Sequence, residues 1–245
     1  MNAPLIHLPE VDSTNLWAKA NLDKLAPAGV VWTTCQTAGR GRLGRGWTNA
    51  AGQGLDLTSG YTAKTVQPST LPLFSALAVQ RALTTVLGPL DLKVKWPNDL
   101  ILNGKKLVGI LTEVSLVDGG VDYVVVGIGV NLRQRPEDFS PEVAKIATSL
   151  AAEGYDVERE TLETALVDAL RQAFRHLCAP ETYLDDYRQL CLNLGRQVHI
   201  LQTDETVTAL DIDPQYGLVV RHGSGAVETL RCGEVSVRGL YGYAE

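Results

Sequence analysis

A glycine–arginine segment, residues 36–47, concentrates positive charge in a chain that is negative overall. It reads QTAGRGRLGRGW, with four glycines and three arginines, and ends at Trp47. No carboxylate occurs from Leu25 to Leu55, although the whole chain has a net charge of −6. Glycines make such a loop costly to order, and its guanidinium groups repel one another until an anion binds. The segment therefore indicates a loop that orders around a small anionic ligand, with Trp47 as a flat stacking face.

Further chemically capable side chains lie in the middle of the chain. The cluster KWPND, residues 95–99, contains Pro97, which interrupts a predicted strand, and such breaks often reposition side chains at a site. Lys106 follows shortly after, beside a predicted hairpin turn. Glycines within GIGVNL, residues 127–132, indicate close approach of a ligand or another backbone, and the amide of Asn131 could read a base edge.

The loop also permits three other interpretations. Gly39, Gly41 and Gly44 match the G-x-G-x-x-G pattern of dinucleotide folds, but that fold requires a helix to begin inside the glycines, and RGWTNAAGQG has no helical stripe. We therefore reject it. An ordinary solvated loop is the plain alternative. An RGG-like nucleic-acid contact is disfavoured by the acidic pI of about 5.3.

Composition limits the class of protein. With 245 residues, 45% of them hydrophobic, the chain can form one substantial core, or a core plus a small second domain. The N-terminus lacks a signal peptide and no apolar run is long enough to span a bilayer, so we expect a soluble cytoplasmic protein with no membrane partner. The histidines lack ligand-like spacing, which predicts no metal site. Irregular spacing predicts free thiols for the four cysteines, Cys35, Cys178, Cys191 and Cys232.

Hydrophobic periodicity predicts strands and helices up to about residue 193, with a strand-rich stretch over 91–132. Asn103–Gly104 predicts a two-residue hairpin and residues 118–120 a second turn. After Gly195 the texture changes to short strands with turns at 213–217 and 222–225, which predicts a small β-barrel or sandwich. Helices are predicted over 12–26, 69–88, 141–153, 158–178 and 180–191.

Five segments, taken in order along the chain, resemble motifs of the biotin–protein ligases. They are DSTN (12–15), QTAGRGRLGRGW (36–47), KWPND (95–99), GKKLVGILTE (104–113) and GIGVNL (127–132). A sixth segment, CGEVSVRG (232–239), resembles the C-terminal module of the family. The arginine–glycine loop and KWPND favour this branch over the related lipoate ligases and octanoyltransferases.

The resemblance implies an α+β fold of the class II aminoacyl-tRNA synthetase/biotin ligase type. A mixed β-sheet catalytic domain flanked by helices would occupy residues 1–193, and a small SH3-like β-barrel would occupy 194–245. It also implies that biotin and ATP are substrates. Biotinoyl-5′-AMP would form with release of pyrophosphate, and biotin would then pass to a lysine of a biotin carboxyl carrier domain. Mg²⁺ would be carried mainly by the nucleotide, with Asp99 as one conceivable contact and no dedicated metal site.

Residue roles are carried over from the family motifs. The catalytic residues would be Lys106, Arg40 and Arg42. The ATP-binding residues would be Arg40, Arg42, Trp47, Asn98, Lys106 and Asn131. The biotin-binding residues would be Ser13, Thr14, Asn15, Gln36, Gly39, Arg40, Gly41, Arg42, Lys106, Gly109, Gly127 and Gly129.

Some questions stay open at the level of sequence. Asp56 departs from the family pattern, with an unknown effect. Because DSTN begins at residue 12, there is no room for the N-terminal winged helix of bifunctional members, so we expect no DNA-binding repressor function. Monomer and homodimer are both open. Glu234 and Arg238 could reach the ATP site or only stabilise the barrel.

Overall fold

A computed structural model describes residues 3–25, 29–61, 68–118, 120–174, 180–201, 203–231 and 237–239. Cys178, Cys232 and Glu234 therefore lie outside the described residues. Cys35 and Cys191 are free thiols, as expected.

A seven-stranded sheet forms the centre of the fold. Its strand order is β1-β2-β3-β7-β6-β5-β4. β1 pairs with β2 in parallel and all other neighbours are antiparallel, which confirms the predicted mixed sheet. The strands are β1 (Leu5–His7), β2 (Val30–Thr33), β3 (Gly54–Tyr61), β4 (Leu92–Lys95), β5 (Asp99–Leu102), β6 (Lys105–Val117) and β7 (Gly120–Asn131).

Helices cover both faces of this sheet, because successive strand residues point to opposite sides. On one face Val124 and Val126 join the main core with α3 and α5. On the other, Val125 packs with Ala18 and Leu25 of the first two helices. The helices are α1 (Thr14–Ala20), α2 (Leu22–Leu25), α3 (Leu71–Leu87), α4 (Pro141–Ala144), α5 (Arg159–Phe174) and α6 (Leu184–Leu190).

The helix α3 confirms the prediction over 69–88. Thr70 is its N-cap residue, and Gly88 ends it with φ of 82°, a conformation that favours glycine. The segment Pro68–Leu87 is long and apolar enough to cross a membrane by length and composition, but 67% of its apolar window is buried inside the protein. It packs against α5 and contacts β6 and β7, so we interpret it as a core helix.

The predicted helix over 141–153 is wrong beyond its first turn. After α4, the chain runs beside the start of β6: the amide of Lys106 donates to the Ile146 carbonyl at 2.7 Å, and the amide of Thr148 donates to the Lys106 carbonyl at 2.9 Å. These backbone groups are used between segments, so they cannot also form helical bonds. The helix predicted over 12–26 is likewise divided at Asn21 into α1 and α2.

The predicted turns are found where the structure describes them. Asn103 and Gly104 both have positive φ, 49° and 82°, as the two-residue hairpin requires. Pro97 lies in the turn between β4 and β5, and its peptide bond with Trp96 is cis. Asp118 also has positive φ, while Gly119 lies outside the described residues.

A second, antiparallel sheet follows the first. Trp96 joins the two: its indole Nε1 donates to the Tyr216 carbonyl at 3.1 Å, and its amide donates to Oδ1 of Asn193 at 2.7 Å. One hydrophobic core is continuous between the sheets. Closure into an SH3-like barrel and a domain boundary after residue 193 stay predictions. The strand order of the second sheet is β11-β10-β9-β8-β12, with β8 (Gln197–Ile200), β9 (Glu205–Ile212), β10 (Leu218–Arg221), β11 (Val227–Leu230) and β12 (Val237–Gly239).

Candidate functional site

A cleft opens on the face of the main sheet that carries α1. Its empty volume is about 430 Å³, part of it open to solvent. Ile110, Leu111 and Ile128 also line it, although the sequence did not indicate them. The predicted site residues that line it are Ser13, Asn15, Gln36, Arg40, Gly41, Arg42, Trp47, Asn98, Lys106, Gly109, Gly127 and Gly129.

Three glycines shape this cleft, because they place no side chains on this face of the sheet. Gly109 and Gly129 are register partners on β6 and β7, and Gly127 lies two residues along the same face. A Cβ at Gly129 would overlap the indole of Trp47, and one at Gly127 would overlap the side-chain oxygen of Asn15. The glycines therefore allow close approach, but the approaching groups are the side chains of Trp47 and Asn15, whereas the sequence indicated a ligand or another backbone.

Neutral hydrogen-bonding groups occupy one end of the cleft. Thr14 donates to Oε1 of Gln36 from its amide at 2.8 Å and from its hydroxyl at 3.1 Å. The hydroxyl of Thr58 donates to Oδ1 of Asn15 at 2.7 Å. This network ties the start of α1 to β3 and holds Asn15 and Gln36 at the cleft. Thr14 is a member of the network and is buried behind the cleft lining.

Glu113 joins this end of the cleft to the arginine loop. It accepts hydrogen bonds from Nδ2 of Asn15 at 2.9 Å and from Lys19 at 2.6 Å, and Arg40 lies 3.8 Å away. Burial would raise the pKa of Glu113, but the hydrogen bonds from Lys19 and Asn15 outweigh burial and lower it. Sequence reasoning missed this residue, although it ends the motif segment 104–113 and complements the loop in charge.

The arginine–glycine loop is a small closed hairpin. The amide of Trp47 donates to the Gly39 carbonyl at 2.9 Å, and the amide of Gly41 donates to the Arg45 carbonyl at 2.7 Å. A Cβ at Gly39 would overlap the Trp47 carbonyl oxygen, so only glycine allows this closure. At the tip, Arg42 donates to Oδ1 of Asn98 at 3.0 Å. The loop therefore lies across the cleft from α1 to the turn after β4.

Lys106 is held by contacts on two sides. Its Nζ lies 2.7 Å from Oδ1 of Asp99 and 5.5 Å from the centroid of the Trp47 ring. Its backbone is fixed by the pairing with residues 146–148 described above. Lys105, the next residue along the strand, is exposed instead, with Nζ 3.4 Å from the Ala144 carbonyl.

Asp56 is a buried carboxyl group beneath the loop. It accepts a hydrogen bond from Nε1 of Trp47 at 2.8 Å, and only 2% of the residue is exposed. Burial raises the pKa of Asp56 to about 7, against the lowering effect of hydrogen bonds from Trp47, Asn49 and Gln36. Its neighbours on β3, Leu55 and Leu57, point into the main core on the opposite face.

Asn131 is a predicted site residue that does not line the cleft, as is also true of Thr14 and Gly39. Its Nδ2 donates to the Thr148 carbonyl at 2.9 Å, and its Oδ1 accepts from Gln134 at 3.1 Å. The residue is buried, so its amide stabilises the end of β7 against the segment after α4. Its ATP-binding role stays a prediction with no geometric support.

The described part of the chain offers no cluster of three or more histidine, cysteine or acidic side chains suited to a metal ion. Asp99, the one acidic residue named for Mg²⁺, is paired with Lys106. His222 lies between Glu205 and Glu228 on the second sheet, where it bonds to both. Asp99 and His222 are thus engaged with protein partners.

The arrangement combines convergent cations with a neutral polar end. Lys106, Arg40 and Arg42 reach one cleft from β6 and from the loop. Arginine binds a carboxylate or a phosphate through paired hydrogen bonds. A lysine between two such groups can stabilise the negative charge that develops when they react. Fold and cleft together define an enzyme that could join two anionic groups.

Comparison with known proteins agrees with this class. A biotin protein ligase from Aquifex aeolicus, solved in complex with biotin and ATP, has a TM-score of 0.84 and 27% identity, over 96% of this chain and 99% of that one. A profile of the Biotin/lipoate A/B protein ligase family matches residues 7–131. The chain belongs to this family, and it is a ligase.

Similar sequences include proteins named as ligases. The bifunctional ligase/repressor BirA of Bacillus subtilis is 38% identical over 233 residues, which are 92% of this chain and 71% of that protein. A biotin–[acetyl-CoA-carboxylase] ligase of Mycobacterium tuberculosis is 33% identical over 202 residues, 78% of this chain and 73% of the relative. These matches support the biotin branch that the motifs favoured.

Proposed function

We propose that this protein activates biotin with ATP and transfers it to a lysine of a biotin carboxyl carrier domain. A carboxylate oxygen of biotin attacks the α-phosphorus of ATP, the bond to pyrophosphate breaks, and biotinoyl-5′-AMP forms. The single observation that carries the proposal is the convergence of Lys106, Arg40 and Arg42 on a cleft whose other end is lined by neutral polar side chains.

Electrostatics is the main obstacle in the first step, because a carboxylate must approach a polyphosphate. Lys106, anchored by Asp99 at 2.7 Å, is suited to lie between the carboxylate and the α-phosphate. Arg40 and Arg42 are suited to the phosphate oxygens, since a guanidinium fork binds two oxygens at once. Gly41 allows the loop backbone to approach the nucleotide. Asp99 holds Lys106 and Asn98 holds Arg42, and groups restrained in this way favour strong electrostatic stabilisation.

The neutral end of the cleft suits the uncharged ureido ring of biotin. Ser13, Asn15 and Gln36 line it and supply donors and acceptors in place of charge. An alkyl chain, as in lipoate or octanoate, has no group that could hydrogen-bond to these side chains, whereas the ureido ring has both donors and acceptors. The polar lining therefore favours biotin over an acyl chain.

The loop is suited to act as a lid on the intermediate. Biotinoyl-5′-AMP is a mixed anhydride that water hydrolyses, so closure over it protects the acyl group. In the second step the neutral amine of the acceptor lysine attacks the acyl carbon, AMP leaves, and an amide bond forms. Trp47 and Asn98 are proposed for the adenine side, and Mg²⁺ for the ATP phosphates.

The acceptor and the assembly state belong to the same proposal. β6 extends past β5: residues 99–102 of β5 pair only with 105–109 of β6, and 110–117 pair with β7 alone among the described strands. An open strand edge can pair with another chain, so it could receive the carrier domain or a second copy of this protein. We also propose the SH3-like barrel for the second sheet and a cytoplasmic location.

Pyrophosphate exchange tests this function directly. Purified protein with ATP, Mg²⁺ and labelled pyrophosphate should form labelled ATP only when biotin is present. Lipoate and octanoate in place of biotin should give no exchange above background. Exchange with lipoate but not with biotin would instead indicate a lipoate ligase, and tight, steeply salt-dependent binding of RNA or DNA would favour the nucleic-acid alternative.

A further inference from the structure

A buried acid under the loop has no part in the reaction described so far. Asp56 lies on β3 opposite Gly129 of β7, on the face of the sheet that carries the cleft. Its carboxyl group accepts the indole N–H of Trp47 at 2.8 Å, and Trp47 is the last residue of the loop hairpin. Since a buried charge is costly, a carboxyl group kept at this position calls for an explanation.

Trp47 connects this acid to the rest of the site. Its ring lies on the two glycines that face each other across β6 and β7, and a Cβ at Gly109 would meet the ring at 3.0 Å. The ammonium group of Lys106 lies 5.5 Å from the ring centroid. The backbone of Trp47 also closes the loop by donating to Gly39. The position of this one side chain therefore affects both the loop stem and the proposed catalytic lysine.

We propose that Asp56 is a positioning residue that anchors the arginine–glycine loop to the sheet through the indole N–H of Trp47. The purpose of this anchor depends on the proposed ligase function, whereas the contacts that form it do not. Other contacts hold the rest of the loop. At its start, the amides of Thr37 and Ala38 donate to the carbonyls of residues 11 and 12 at 2.9 and 2.8 Å. Towards its tip, Arg42 donates to Asn98 and Arg40 lies 3.8 Å from Glu113, whereas the Asp56–Trp47 bond joins a buried strand to the end of the hairpin.

Limited trypsin digestion of the unliganded full-length protein measures this anchor without any ligase activity. Trypsin cuts after arginine, so Arg40, Arg42 and Arg45 report loop opening, and the rate follows the open population when opening is fast. Asp56→Ala removes the acceptor, and Trp47→Phe removes the N–H but keeps a ring. Each should be cut about tenfold faster than wild type, as expected for one lost hydrogen bond to a carboxylate.

Two further variants separate anchoring from general destabilisation. Asp56→Asn keeps one acceptor oxygen and nearly the same volume, so its rate should stay within about twofold of wild type. The double variant Asp56→Ala/Trp47→Phe should be cut no faster than either single variant, because both remove the same bond. Ser59→Ala is the matched control: it is buried on the same strand and bonds to Gly29 and Tyr61, away from the loop.

Several outcomes would overturn the anchor. A wild-type cleavage rate in folded Asp56→Ala or in Trp47→Phe would do so, as would rates that multiply in the double variant. If Asp56→Ala does not fold, as judged by thermal unfolding, the rate of Trp47→Phe decides alone. Absence of biotin-dependent pyrophosphate exchange in the wild-type protein would refute the proposed function but would not affect the digestion result.

Discussion

Lys106 and Asp99 form an ion pair, with Nζ 2.7 Å from Oδ1, at the point where β5 and β6 line the cleft. About 21% of the lysine side chain and 12% of the aspartate side chain are exposed, so the pair is partly screened from water. A lysine restrained in this way loses little conformational entropy when substrate binds. It is therefore well suited to stabilise negative charge that develops in the transition state. The pair is thus central to the predictions that follow.

Replacing Lys106 by alanine should nearly abolish biotin activation. The change removes the cation proposed to lie between carboxylate and phosphate, and comparable losses are about 100-fold or more in turnover. Pyrophosphate exchange at saturating substrate measures it. Lys105→Ala is the matched control, because this lysine is exposed and reaches only the Ala144 carbonyl. Equal activity of Lys106→Ala and Lys105→Ala would rule out the catalytic assignment.

Replacing Asp99 by asparagine should reduce turnover less, by about tenfold, because the lysine remains but is no longer held by a charge. In combination with Lys106→Ala it should add almost nothing, since the two residues act as a unit. The same exchange assay on the single and double variants tests this. A further tenfold loss in the double variant would show that Asp99 acts independently of Lys106.

Gly129→Ala should displace Trp47 from the sheet, because the new methyl group would overlap the indole. Forcing both into place costs about 1–3 kcal/mol in comparable overpacked sites, so exchange should fall about tenfold. Gly120→Ala on the same strand is the control, with nothing closer than 3.7 Å to the added carbon. Comparable exchange in the two variants would contradict the close approach of Trp47.

Asp56 should make the stability of the protein depend on pH. Its pKa is about 7 in the folded chain against 3.8 ordinarily, so between these values the folded state holds a proton that the unfolded state has released. The free energy of unfolding contributed by Asp56 therefore falls as pH rises from about 4 to 7 and is level above that.

Urea unfolding of wild type and Asp56→Asn measures this contribution, since all other groups cancel in the difference. From pH 5 to pH 8 the asparagine variant should gain roughly 3 kcal/mol relative to wild type, at 1.36 kcal/mol for each pKa unit. A difference that does not change with pH would mean that Asp56 titrates normally despite its burial.

Substrates should protect the loop from trypsin. The anionic phosphate of biotinoyl-5′-AMP would pair with loop arginines and hold the hairpin over the cleft, so cleavage after Arg40, Arg42 and Arg45 should slow at least tenfold with biotin and ATP together. ATP without biotin is the control and should protect less, because no adenylate forms. Unchanged cleavage with both substrates would contradict the lid.

Much of the candidate site was predictable from local pattern. Glycines at Gly109, Gly127 and Gly129 within apolar strands signal close approach, and clustered arginines without acids signal an anion. These features depend on residue type and spacing, which the chain carries before it folds. The strand content, the helix α3 with its Gly88 end, and the Asn103–Gly104 turn are likewise local preferences of the backbone.

Tertiary structure decided the rest, because it depends on contacts between distant segments. Asn15 meets Glu113 across 98 positions, and Trp96 meets Tyr216 across 120. The segment 145–148 has helical periodicity, but pairing with Lys106 uses its backbone groups instead. The sequence by itself determined which groups could bind an anion and where the chain turns. Strand register decided that Asp56 lies buried under Trp47 and that Lys106 faces Asp99, since register sets which side chains share a face.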